Sequence, residues 1–156
     1  MILFRQLHEL PSELLLALFK LRQDVFILEQ ACLYPDIDAL DLKAMHLLAF
    51  DTERSDHVIG GLRILTPDPQ QKPLSSVAPA ARIGRLVVDK DHRHQGHARQ
   101  LMVSAINWCK NEHYAAIQIS AQTYLLGFYQ SLGFNPVSDA YLEDGIEHKD
   151  MQLKLN

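Results

Sequence analysis

Cysteine is scarce in this chain. There are two in 156 residues, Cys32 and Cys109, far apart and in no CxxC pair. That argues against a disulfide framework and suits a reducing compartment, so a cytoplasmic protein is expected. Long apolar runs are missing too. The longest is Leu14 to Phe19, far short of the ~20 residues a spanning helix needs. No signal-peptide pattern opens the chain, so no membrane partner is expected. Positive charge is not in excess: the net charge is −4, and no nucleic-acid partner is expected. No internal repeat or low-complexity tract occurs. Glycine is sparse, at 7 residues. None forms the GK[ST] ending of a P-loop, nor the three-glycine dinucleotide fingerprint.

What remains is ordinary globular material, 47% apolar and 22% charged. The length predicts one domain over 1–156 with a core of its own. Ile2 to Leu7 is expected to be a strand. Pro11-Ser12-Glu13 starts a helix running to about Leu28, with Leu14, Leu18, Leu21, Val25 and Leu28 on one face. The stretch 29–44 is acidic and irregular. His46–Phe50 and His57–Leu65 alternate as an antiparallel pair. Pro67 to Pro73 is a surface loop, and Ala81–Val88 returns to strand. A helix over 97–112 carries the stripe Ala98, Leu101, Met102, Ala105, Ile106 and Cys109. Then come a strand at 115–120, a short helix ending at Gly133, and closing strands at 134–137 and 149–155. Asp144-Gly145 lies in the connection between those two strands. This order predicts α+β: a mixed sheet with helices on its faces.

The most informative stretch is Arg93-His94-Gln95-Gly96-His97-Ala98, between the strand ending Leu86-Val87-Val88 and the long helix. A helix N-terminus presents free backbone N–H groups, and Gly96 lets a ligand approach them closely. Arg93 adds a guanidinium that can fork onto phosphate oxygens. The turn therefore predicts pyrophosphate binding.

The pattern R-x-x-G-x-A after a strand is followed by Phe128-Tyr129-Gln130-Ser131-Leu132-Gly133-Phe134. Together these resemble the coenzyme-A turn and the FYxxxGF element of the GNAT acetyltransferases. Arg22-x-x-Val25-Phe26, the run Glu29-Gln30-x-Cys32-x-Tyr34-x-Asp36-x-Asp38, and Glu143-Asp144-Gly145-Ile146 with His148 resemble the ElaA-like branch. The resemblance covers essentially the whole chain. It implies an acyl-CoA N-acyltransferase fold, with a splayed sheet flanked by helices on both faces. Two positions differ from the family habit: His97 replaces a small aliphatic residue and Leu125 an alanine.

The resemblance also implies roles. Acetyl-CoA is the expected acyl donor and an amine, small or on a protein, the expected acceptor. Its pyrophosphate would rest on the turn His94, Gln95, Gly96, His97, Ala98 and Arg99, beside Arg93. The pantetheine would enter a gap opened by a bulge in the strand Leu86-Val87-Val88, pairing with Leu86 and Val88. The Val88 N–H would polarise the thioester carbonyl. Gln122 stands where the family often has an asparagine that holds the pantetheine. Phe128 and Tyr129 border the cofactor, and Tyr129 matches the general acid for the departing thiolate. Transfer is direct, in a ternary complex, with no enzyme nucleophile. For the general base, Glu29 ranks first and Asp38, Asp41 and His46 follow; a base acting through water is equally open. A homodimer is left open. So is a non-catalytic acyl-CoA sensor.

Some residues carry blander readings. His92, His94 and His97 would splay apart around a helix start, so solvated side chains near a phosphate are expected there and no metal. Asp36, Asp38 and Asp41 lack the glycine and glutamate of a calcium loop. They are expected to be a solvated loop or an acidic rim attracting a cationic amine. Cys109 is expected to pack and Cys32 to be accessible. Arg63, Arg82 and Arg85 are expected at the surface unless one turns inward to bind an acceptor carboxylate.

Overall fold

A computed structural model of the chain describes residues 1–67 and 80–155. Beyond Pro67, the expected loop at 67–73 lies outside the described residues. Eight strands form one mixed sheet: β1 (Ile2–Gln6), β2 (Met45–Phe50), β3 (Val58–Leu65), β4 (Ala80–Val88), β5 (Ala116–Gln122), β6 (Asn135–Pro136), β7 (Tyr141–Glu143) and β8 (Ile146–Lys154). Their order is β1-β2-β3-β4-β5-β8-β6, with β7 also on β8. Among the described strands, only β4 and β5 run parallel. Among the described residues, no helix is long and apolar enough to cross a membrane.

Helix α1 (Ser12–Arg22) covers one face of the sheet and α2 (His97–Asn111) the other. Leu18 and Leu21 of α1 pack on Leu48, Phe50, Val58 and Val87. The expected stripe of α2 buries Leu101, Met102, Ala105, Ile106 and Cys109 against Leu47, Ile59, Ile64, Ile83 and Ile117. The glycine pair at the centre of β3 permits both contacts. A Cβ on Gly60 would lie 3.1 Å from Leu101 Cδ1, and one on Gly61 would lie 2.9 Å from Leu18 Cδ1. Each glycine thus admits one helix to its own face.

The first helix departs from expectation at its C-terminal end. After Arg22 the chain winds as a π-helix over Gln23–Glu29. Its wider turn breaks the 3.6-residue phase, so Leu28, expected on the buried face, is turned out to solvent. The C-terminal region differs as well. The connection expected to hold Asp144-Gly145 contains a further strand, β7. Asp144-Gly145 is the two-residue turn of its β7–β8 hairpin, with φ of 49° and 78°. A third short helix, α3 (Leu126–Gln130), packs near β5 and carries Tyr129.

Candidate functional site

The site begins with a defect in β4. Gly84 stands opposite Arg63 and Val87 opposite Gly61, so Arg85 and Leu86 together oppose Leu62. Arg85 takes the left-handed conformation, φ 56°, and the extra residue bends the strand. Parallel pairing with β5 is confined to Ala80–Arg82 against Ala116–Gln118. From Ile83 to Val88 the edge of β4 has no β5 partner, and a wedge-shaped gap opens beside Leu86, Val87 and Val88.

A left-handed arginine costs on the order of 1–2 kcal/mol, and a buried ionic network holds it there. Arg85 donates to the Asp36 carbonyl at 3.0 and 3.2 Å and pairs with the Asp36 carboxylate at 2.7 Å. Its guanidinium also lies over the Tyr34 ring. Arg22, 1% exposed, donates to Asp36 Oδ2 at 2.9 Å and to Asp41 Oδ1 at 2.8 Å. Arg63 grips Asp38 at 2.7 and 3.1 Å. These contacts correct two expectations. The acidic stretch is neither a solvated loop nor an acidic rim, because Asp36 and Asp41 are buried. Arg63 and Arg85 are not surface residues, because they neutralise those acids. Charges enter an interior only in such pairs.

Below the gap the chain reaches the turn expected to bind pyrophosphate. His94 and Gly96 both have positive φ, 60° and 84°. Gly96 is the N-cap of α2 and no side chain caps the helix. The N–H groups of His97, Ala98 and Arg99 therefore point outward from the first turn, unused by the helix itself. A Cβ on Gly96 would meet no protein atom within 4 Å. Gln95 and His94 are exposed beside it, and Arg99 donates to Ser131 Oγ at 2.5 Å. Arg93 is fixed from two sides: its Nε donates to the Val88 carbonyl at 3.2 Å, and its fork meets Glu29 at 2.5 and 2.7 Å.

Tyr129 is buried between Phe128 and Phe134, edge to face with each. Its hydroxyl has no hydrogen-bond partner among the described residues, and burial pushes its pKa up to about 12. Gln122 ends β5 and donates to Gln30 Oε1 at 3.5 Å, so it is tied to the chain that follows the π-helix.

The four acid–base candidates are all engaged elsewhere. The Arg93 hydrogen bond holds the Glu29 carboxyl below its usual range, which makes it a poor base and counts against its first rank. Asp38 is held low by Arg63. Burial alone would raise Asp41, but Arg22, the Asp38 N–H and Arg63 outweigh it and hold it at about 2. His46 is buried, its pKa pushed down by desolvation, with Nε2 2.9 Å from the Asp41 carbonyl.

A second polar group was not read as a site in the sequence, although Glu143 and His148 stand in the branch pattern. Ile117, Ile119 and Ala121 face the core under α2, so Ser120 and Gln122 face the other side, that of α1. Directly across β8 from them stand Asp150 and His148. Tyr141 and Glu143 of β7 close over this pair, with Tyr141 Oη bonded to Ser120 Oγ and to Asp150 Oδ1. The signal was present as polar residues at every second position of β5 and β8. It needed the strand register to become a cluster. Cys32, expected to be accessible, is buried; its thiol donates to the Asp144 carbonyl at 3.4 Å and ties the chain after the π-helix to the hairpin turn.

An open strand edge running into an uncapped helix N-terminus behind a left-handed glycine is the architecture of an acyl-CoA-dependent transferase. Comparison with known proteins agrees. The Acetyltransferase (GNAT) domain family matches residues 29–155. A UPF0039 protein of Schizosaccharomyces pombe is 37% identical over 97% of this chain and 95% of its own. Protein ElaA of Escherichia coli is 37% identical over 99% of this chain and 98% of its own; its crystal structure superposes with a TM-score of 0.82. An acyl-CoA N-acyltransferase of Pseudomonas aeruginosa superposes with a TM-score of 0.84 at 31% identity, covering 97% of this chain and 98% of that one. The chain belongs to the GNAT acetyltransferase superfamily, in its ElaA-like branch. With that membership comes the family's general chemistry, acyl transfer from a coenzyme-A thioester.

Proposed function

We propose that this chain is an N-acetyltransferase: it moves the acetyl group of acetyl-CoA to a primary amine by direct attack in a ternary complex. The observation that carries the reading is the unpaired edge of β4 from Ile83 to Val88, leading straight to the free N–H groups of the Gly96 turn. Pantetheine is long, narrow and rich in amides, so it suits such an edge, with Leu86, Val87 and Val88 along it and Gln122 across the gap. The pyrophosphate suits the helix N-terminus between His94 and Arg99, with Arg93 beside it.

Neither cysteine competes as a nucleophile. Burial pushes the Cys109 thiol up to about 12, and the Cys32 S–H is committed to a carbonyl. Direct attack by the amine is the route the family resemblance implies, with rate gained from orientation. The Val88 N–H stabilises the oxyanion of the tetrahedral intermediate. Tyr129, protonated throughout the physiological range, donates to the sulfur as the C–S bond breaks. A thiol of pKa about 8.5 leaves readily, so a strong hydrogen bond from Tyr129 is sufficient help. The reading takes residues 1–156 as one domain, acting in the cytoplasm, where two free cysteines are stable.

The test is calorimetric titration with acetyl-CoA of the wild type and of Gly96→Trp, followed by thiol release with a panel of amines. One-site binding lost in the variant, with turnover on an amine, supports the reading. Binding without turnover on any amine would instead make the protein an acyl-CoA sensor.

A further inference from the structure

The proposed reaction needs a base for the acceptor amine, and the four acids and imidazoles flanking the first helix are committed to other partners. One titratable group, a strand beyond the gap, is differently placed. His148 lies on β8 directly opposite Gln122, one strand spacing of about 4.8 Å from the strand that forms the far wall of the gap. It is 9% exposed. Its Nδ1 is 2.7 Å from the Ile146 carbonyl. A carbonyl can only accept, so Nδ1 carries the proton and the lone pair of the neutral ring is on Nε2. The Tyr141 ring stacks on the imidazole at 6.1 Å and 21° and fixes its plane.

The groups around Nε2 form a path outward. Glu143 Oε2 lies 3.7 Å from it: the neutral ring offers that carboxylate no proton at Nε2, whereas an imidazolium would form an ion pair with it. The same oxygen is 3.4 Å from Ser120 Oγ. Ser120 continues to Tyr141 and Tyr141 to Asp150. The Glu143 side chain is 54% exposed, so a proton that reaches it passes to water. Facing His148 are thus Glu143 and Tyr141 from β7, Gln122 and Ser120 from β5, and Asp150 on its own strand.

We propose that His148 is the general base of the reaction, taking the acceptor amine's proton on Nε2, and that Glu143 is a positioning residue that stabilises the imidazolium and passes the proton to solvent. This rests on the N-acyltransfer reading above. As the amine nitrogen bonds to the thioester carbonyl carbon, one N–H bond breaks and the proton goes to Nε2. The C–S electron pair leaves with the sulfur, which is protonated from Tyr129. Tyr129 regains its proton from water, and His148 returns to neutrality through Glu143.

The test follows kcat/KM for an amine acceptor against pH, in the wild type, His148→Gln and His148→Ala, with acetyl-CoA binding measured alongside. His148→Gln is expected to lose about 10²-fold in kcat/KM at neutral pH, to bind acetyl-CoA as the wild type does, and to lose the acidic limb of the profile. Added imidazole restores part of the rate to His148→Ala. Glu143→Gln causes a smaller loss and moves that limb to lower pH. A fully active His148→Gln with an unchanged limb overturns the base and leaves the transfer reading standing. A wild type that binds acetyl-CoA but acylates no amine overturns both. Long-range proton–nitrogen spectra of the wild type, with the His148 signal assigned by its loss in His148→Gln, give a check independent of turnover. Protonation at Nδ1 is expected, and protonation at Nε2 would overturn the assignment.

Discussion

Glu29 and Arg93 meet fork to fork, at 2.5 and 2.7 Å, joining the end of the π-helix to the turn before α2. The pair is about one-third to two-fifths exposed, so solvent screens it and its contribution to stability is small. Its value lies in orientation, since a guanidinium held on one side presents its remaining edge in a fixed direction. Glu29→Gln is therefore expected to weaken acetyl-CoA binding a few-fold while leaving the pH profile of kcat in place. Calorimetry and a pH series check it, and collapse of the acidic limb would return Glu29 to the role of base.

Gly96 gives a sharper test of the turn. At φ 84°, alanine costs on the order of 1–2 kcal/mol of backbone strain. The added Cβ touches no protein atom within 4 Å. It would project toward the space proposed for phosphate. Gly96→Ala should weaken acetyl-CoA binding about tenfold, the equivalent of 1.4 kcal/mol. Unchanged affinity in a folded variant would move the pyrophosphate elsewhere.

Tyr129→Phe removes a hydroxyl that bonds to nothing in the described residues, so the fold should tolerate it. We expect kcat to fall by about 10²-fold with acetyl-CoA affinity unchanged. Because burial raises the tyrosine to about 12, its own ionisation should not appear in a wild-type profile run from pH 6 to 9. Equal turnover in the variant would reduce Tyr129 to a packing residue.

Asp41 links stability to acid. Its folded pKa of about 2 lies below its ordinary 3.8, so the folded state favours the ionised form. The resulting stabilisation, of order 2 kcal/mol, is complete above pH 4 and is lost as pH falls toward 2. Asp41→Asn should cost about 3–5 kcal/mol, because it strips buried guanidinium groups of a carboxylate. Urea unfolding at neutral pH and at pH 3 would show it, and a variant as stable as the wild type would contradict the network's role.

Much of this was legible in the chain. The α2 stripe and the Arg93–Ala98 turn could be read because a helix period and a glycine at a helix start are local signals. The Arg22–Asp36–Arg85 network could not, since its members lie 14 and 49 residues apart and each alone resembles a surface charge. Leu28 was misplaced because nothing in Gln23–Glu29 announces a π-helix. The hairpin at Asp144-Gly145 was missed because Tyr141–Glu143 is only three residues long. With that hairpin went the companions of His148, which only the β5–β8 register brings together.

The short parallel seam has a consequence for the cohesion of the molecule. Among the described residues, the two half-sheets, β1–β4 and β5–β8, pair with each other only at Ala80–Arg82 and Ala116–Gln118. Sealing the wedge between them stabilises the folded chain by RT ln(1 + [L]/Kd), about 2.7 kcal/mol at one hundred times Kd. Without a guest, that seam and the shared core under α2, which reaches Ile117 and Met151 as well as Leu47 and Ile64, hold the halves together. A ligand that bridges the halves adds to that cohesion, so the thermal midpoint is expected to rise with acyl-CoA concentration.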